Sequence, residues 1–134
     1  MSSMIGLDTN IAVRFFVEDD PVQFRKAGSL FASFSIQDQG FISLVALAEF
    51  AWVLQARYHI SKLELIDCLG KLTSASELVL ENQDTVLDAV DRFASGRSNF
   101  SDYLIERSGN KAGCDHTLTF DRAASKSAGM RQLK

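Results

Sequence analysis

The 134-residue chain has one proline, two cysteines, two histidines and one tryptophan. Scarce cysteine excludes a disulfide scaffold: Cys68 and Cys114 form no CxxC pair, and the expectation is free thiols in a reducing cytoplasm. Two histidines, His59 and His116, cannot build a His-rich zinc site, and neither lies in an HExxH pattern. Positive charge is also short. Lys+Arg 14 against Asp+Glu 17 leaves a net charge of −3 and a pI near 5.3, so bulk charge cannot coat a polyanion. Long apolar runs are missing too. The longest, Leu44–Leu54, is interrupted by Glu49 and is shorter than the roughly 18 residues that a membrane span needs. Met1-Ser2-Ser3-Met4 lacks the positive start of a signal peptide and leads into what reads as a core strand. Phosphate-binding GxxxxGK[ST] and GxGxxG patterns are absent, and so is any repeat or Gly/Ser linker.

What is present is ordinary globular composition: 46% hydrophobic and 23% charged, which excludes a disordered or collagen-like chain. The length fits one domain, 1–134. Strand and helix patterns alternate. Strands are expected at Met4–Leu7, Gly40–Ile42, Glu77–Leu80 and His116–Phe120, with an edge strand at Met130–Leu133. Helices are expected at Asn10–Val17, Pro21–Phe34, Leu44–Arg57, after Ser61, at Gln83–Ala94, at Ser101–Lys111 and around Arg122-Ala123-Ala124. Within them Ile11, Val13, Phe15, Phe16, Phe24, Ala27, Leu30, Phe31, Phe34, Leu63, Leu65, Ile66, Leu69, Leu72, Val86, Leu87, Val90 and Phe93 form the apolar faces. Asp20 before Pro21 reads as a helix cap, and Ser43 as the cap of the Leu44 helix. Such alternation argues for a parallel sheet with helices on both faces.

Most acids lie at polar faces or caps, where solvation accounts for them, Glu81 and Asp88 included. Four resist that explanation. Glu49 sits in an apolar helix and reads as buried, so it needs an arginine such as Arg57 or a cation. Asp8 and Asp121 each follow a strand, where ligands of open α/β sheets gather, although each can also cap the next helix. Asp102 opens a helix, with Ser101 or Asn99 as cap, where the dipole favours an acid. If these four meet at one end of the sheet, their repulsion raises their pKa values, and a divalent cation relieves it. All-oxygen ligands suit Mg²⁺ or Mn²⁺.

Leu7-Asp8-Thr9-Asn10, Leu47-Ala48-Glu49-Phe50, Ser101-Asp102-Tyr103-Leu104-Ile105 and Thr117-Leu118-Thr119-Phe120-Asp121-Arg122 resemble the motifs of PIN domains. More narrowly, the chain is similar to VapC-type toxins of bacterial toxin–antitoxin pairs, from Met4 to about Leu133. The resemblance implies a three-layer α/β/α sandwich around a central, mainly parallel sheet. It implies a cytoplasmic endoribonuclease that hydrolyses RNA phosphodiester bonds with Mg²⁺ or Mn²⁺. Asp8, Glu49 and Asp102 would be the core metal-binding and catalytic acids, and Asp121 the more variable fourth. Thr9 and Asn10 would support Asp8, and Thr119 would orient a carboxylate. The implied partners are RNA, a small antitoxin and a second copy of the chain, with no membrane.

The chain departs from the family after Ile105, where Glu106 and Arg107 replace small residues; Glu106 is expected in solvent, and Asn110 and Gly113 suggest a fraying helix end. Arg14, Arg57, Arg97, Arg107, Lys111 and Arg122 are candidates for holding RNA or for plain surface charge. A receiver domain would want an acidic pair after the first strand and a lysine after the last; Asp8-Thr9-Asn10 and Arg122 do not supply them. A haloacid-dehalogenase-type phosphatase would want aspartate at Asn10. The remaining rival is a non-catalytic α/β interaction module whose acids are caps and salt-bridge partners.

Overall fold

The computed structural model describes residues 2–134, which divide into two compact units, one ending at Glu81 and the other spanning Asn82–Lys134. Seven α-helices and five short strands form among the described residues, an α/β protein. No helix is long and apolar enough to cross a membrane.

In the first unit, β1 (Ser3–Gly6), β2 (Asp38–Ile42) and β3 (Leu78–Leu80) form a parallel sheet in the order β1-β2-β3. Helices α1 (Thr9–Phe16) and α2 (Pro21–Ser33) connect β1 to β2, and α3 (Leu44–Ala56) and α4 (Lys62–Ser74) connect β2 to β3. Parallel strands require such crossovers. Gly6 pairs with Phe41 and Ile42 with Leu80, so the three carboxyl ends lie side by side.

Local chemistry sets the helix starts. Asp20 accepts from Val22 and Gln23 N–H, with Pro21 in the first turn, where its missing N–H costs nothing. Ser43 and Ser61 cap α3 and α4 through the Ala46 and Glu64 N–H groups. The core gathers Val13, Ile42, Leu47, Phe50, Leu54, Leu65, Leu69 and Leu72. Phe15 stacks on Phe31 at 4.1 Å between ring centres, and Phe16 meets Phe50 at 5.6 Å. Phe34 also meets Phe31 edge-on, and Phe15, Phe16, Phe24 and Phe34 are half-buried.

Three apolar expectations fail here. Strand β1 is exposed along its length, with Met4 and Ile5 each 53% accessible, and only Leu7 behind it is buried. Leu63 of α4 is 80% exposed, because it precedes the buried Leu65–Leu69–Leu72 stripe on the outer side of the first turn. Glu49 is exposed as well, and is treated below.

The second unit is built from α5 (Gln83–Ser95), α6 (Phe100–Ala112), β4 (Leu118–Thr119), α7 (Arg122–Ser127) and β5 (Arg131–Gln132). Helices α5 and α6 pack through Phe93, whose ring meets Phe100 edge-on at 5.8 Å. Val86 and Ala89 are buried with it, whereas Leu87 faces outward, one residue off that stripe. The last strand pair is parallel, Leu118 opposite Arg131. It is shorter than the alternation at His116–Phe120 suggests, and that pattern's apolar side, Leu118 and Phe120, points to solvent. Helix α6 ends in a closed cap. Gly113 takes a φ of 99°, open to glycine at no steric cost, and Cys114 N–H closes back on Gly109 C=O at 3.0 Å. Both cysteines are free.

Candidate functional site

In the first unit the site begins where β1 ends. Asp8 caps α1, its Oδ1 accepting from Thr9 N–H at 2.7 Å. The Thr9 hydroxyl reaches the other way and donates to Glu49 Oε2 at 3.4 Å. One residue therefore ties together two carboxylates that lie 41 positions apart in sequence, Asp8 and Glu49. Asn10, next on α1, is exposed.

Glu49 is not the buried acid that its neighbours suggest. Helix α3 buries Ala46, Leu47, Phe50, Ala51 and Leu54, but the line Val45, Glu49, Trp52 runs along its outer side. Val45 is 70% and Trp52 59% exposed, so the high apolar content of α3 hides an outward face. Arg57 closes α3 as its C-cap and makes no ion pair with Glu49.

In the second unit Asp102 lies in the first turn of α6. Its Oδ2 accepts from the Asn99 N–H at 3.1 Å in a capping box. Asp121 caps α7, its Oδ1 accepting from Ala123 N–H at 2.8 Å and from Ala124 N–H at 3.4 Å. Partial burial pushes the Asp102 carboxyl above its ordinary value; the Asn99 bond opposes this, and the negative charge of Asp121 adds to it. Asp102 and Asp121 thus sense one another. Thr119 acts on the main chain rather than on a carboxylate: its hydroxyl accepts from Asp121 N–H at 3.0 Å and fixes the turn that presents Asp121.

The expected acids are therefore linked two by two within the units, Asp8 and Glu49 through Thr9 and Asp102 with Asp121 through charge. None of the four takes part in an ion pair among the described residues, whereas Asp19, Asp67, Asp88 and Glu106 each hold a cation. Asp8, Asp102 and Asp121 each spend one carboxylate oxygen on a helix start and keep the other out of those bonds. The donor set, carboxylates with a threonine hydroxyl nearby, is hard oxygen throughout and fits Mg²⁺ or Mn²⁺ in type. Within neither unit do three or more His, Cys, Asp or Glu side chains among the described residues gather closely enough to hold an ion.

Two acids hold structural positions that the sequence reading did not assign to them. Glu81 follows β3 as Asp8 follows β1, and its Oε1 accepts from Leu44 N–H at 2.9 Å at the start of α3. Its place after a strand was the available signal. Glu106, expected in solvent one turn beyond Asp102, is buried and paired twice with Arg107, at 2.6 and 3.0 Å. Arg107 also reaches Asp88 at 3.2 Å, and Arg14 is held by Gln23, Tyr58 and Asp19. Both arginines are structural ties.

No protein-family model matches the chain, and no curated protein matches it at a significant level.

Proposed function

We propose that this chain is a Mg²⁺- or Mn²⁺-dependent endoribonuclease of the PIN-domain kind, acting as the toxin of a toxin–antitoxin pair. The three-layer sandwich belongs to the same reading, as do the cytoplasmic location, the small antitoxin and the homodimer. One observation supports it most: Thr9 links the Asp8 and Glu49 carboxylates, giving a bond to one through its N–H and to the other through its hydroxyl, and neither acid takes part in an ion pair among the described residues. Acids left unneutralised near one another are suited to a metal ion.

Asp8, Glu49, Asp102 and Asp121 would hold the metal through their uncommitted oxygens. A bound dication would supply an activated water and neutralise charge on the phosphoryl oxygens. The chain's own part is positioning. Thr9 keeps Asp8 and Glu49 oriented, and Thr119 with the α7 cap keeps Asp121 facing outward from its turn.

A second reading, a non-catalytic interaction module, draws on the capping bonds of three of these acids and on the exposed Val45 and Trp52. One experiment separates the two. The purified chain, stripped of copurified partners, is incubated with RNA and Mn²⁺ or Mg²⁺, with a chelator as control. The nuclease reading expects metal-dependent cleavage that drops by about 100-fold or more in Asp8→Asn and Asp102→Asn. Asparagine keeps a capping oxygen, so both variants should fold. Mn²⁺ should also raise the melting temperature of the wild type and not of Asp8→Asn. Cleavage unchanged in both variants would sink the assignment; no cleavage and no Mn²⁺ shift would favour the interaction module. Growth arrest on induction, relieved by a co-expressed small partner, tests the toxin role.

A further inference from the structure

An open cleft of about 760 Å³ lies within the second unit, between the end of α5, the start of α6 and α7. Its size falls in the range of ligand sites, roughly 300–1,000 Å³. Arg92, Arg97 and Lys126 line it, and no carboxylate does. That concentration of positive charge is notable in a chain of net charge −3. Arg92 is steadied from outside the cleft by Asp88, Nε to Oδ1 at 3.0 Å. Arg97 and Lys126 have no acidic partner among the described residues.

A chain of hydrogen bonds runs along the cleft. Tyr103 Oη accepts from Ser98 N–H at 3.2 Å and lies 2.7 Å from Ser127 Oγ, which in turn accepts from Arg97 N–H at 2.6 Å. Gly96 lets the ring approach, since a Cβ there would overlap the Tyr103 hydroxyl. These hydroxyls serve one another, which leaves the three cations as the groups that face a ligand. Cations around an open groove suit a strand's phosphates and carry no base readout.

Residues that line the cleft are bonded or joined in sequence to both acids of its unit. Tyr103 follows Asp102, and the Ala123 at its rim donates its N–H to Asp121. We propose that this cleft holds the backbone phosphates of single-stranded RNA next to Asp102 and Asp121. The inference rests on the ribonuclease reading and names the part of the chain that grips its substrate.

The test is binding without cleavage. Fluorescence anisotropy follows a single-stranded RNA of about 12 nucleotides in excess chelator, a length within the span of known strand-binding sites. The double variant Arg97→Gln, Lys126→Gln is expected to bind roughly tenfold more weakly, with a log–log salt slope shallower by about 1.4. Lys71→Gln, whose lysine is paired with Asp67 on the other unit, should bind as the wild type does. Unchanged affinity and slope in a folded double variant overturn the proposal, even if the wild type cleaves RNA. Displacement of the RNA by inorganic phosphate at low concentration also overturns it, in favour of a small-anion site. Cleft-dependent binding by a chain that never cleaves RNA upholds the cleft and sinks the nuclease reading instead.

Discussion

Asp88 holds two arginines at once, Arg92 through Oδ1 and Arg107 through Oδ2. Burial by itself pushes its carboxyl up, but the hydrogen bonds and charges of the two arginines outweigh burial and keep it below the ordinary aspartate range. A depressed carboxyl contributes stability that is present above its unfolded value, about 3.9, and lost as pH falls through the folded one. Asp88→Asn should therefore lower stability near neutral pH by about 1 kcal/mol or less, because the group is partly exposed and screened. The difference from wild type should vanish in acid, as urea midpoints measured from pH 7 down to about 2 would record. A constant difference at every pH would mean that the lost packing matters and the charge does not. Asp102 behaves otherwise: no base holds it, and its carboxyl moves in the opposite direction from that of Asp88.

At the scale of elements, the Glu106–Arg107–Asp88 chain ties α6 to α5 beside the Phe93–Phe100 contact. Glu106→Gln leaves a mostly buried guanidinium short of one charge and should cost about 2 kcal/mol in chemical denaturation. A cost below a few tenths would show that Asp88 alone satisfies Arg107. Helix starts were legible in sequence because capping is local: Asp20, Ser43, Ser61 and Asp121 each act within three residues of themselves. Parallel pairing was legible too, since strand and helix patterns alternate. Direction was harder. Composition marked α3 as apolar all round, yet side-chain direction puts Val45, Glu49 and Trp52 outside. Glu106 was misread in the opposite sense, because its partner is the next residue and adjacent charges look solvated. Asp8, Asp102 and Asp121 could be chosen from their positions after strands and at helix starts, and Glu49 from its apolar neighbours, on a burial that the fold does not give it. Their pairing could not, because the Thr9 bridge joins residues 40 apart and exists only once α1 lies on α3.

Over the whole molecule, tryptophan occurs once, and the fold sets it on the outer side of α3 one turn beyond Glu49. Its indole is in water while the protein is native, so unfolding should shift its emission maximum by only a few nanometres. A melt followed by that signal alone would miss a transition that circular dichroism records. The same placement makes Trp52 a built-in optical gauge. Paramagnetic Mn²⁺ settling at Glu49, or a nucleobase laid across the ring, should dim it, and Glu49→Gln should abolish the Mn²⁺ quenching. A signal indifferent to saturating Mn²⁺ would exclude the ion from that neighbourhood. No label need be introduced: the protein reports, in its own ultraviolet light, whether anything comes to rest beside Glu49.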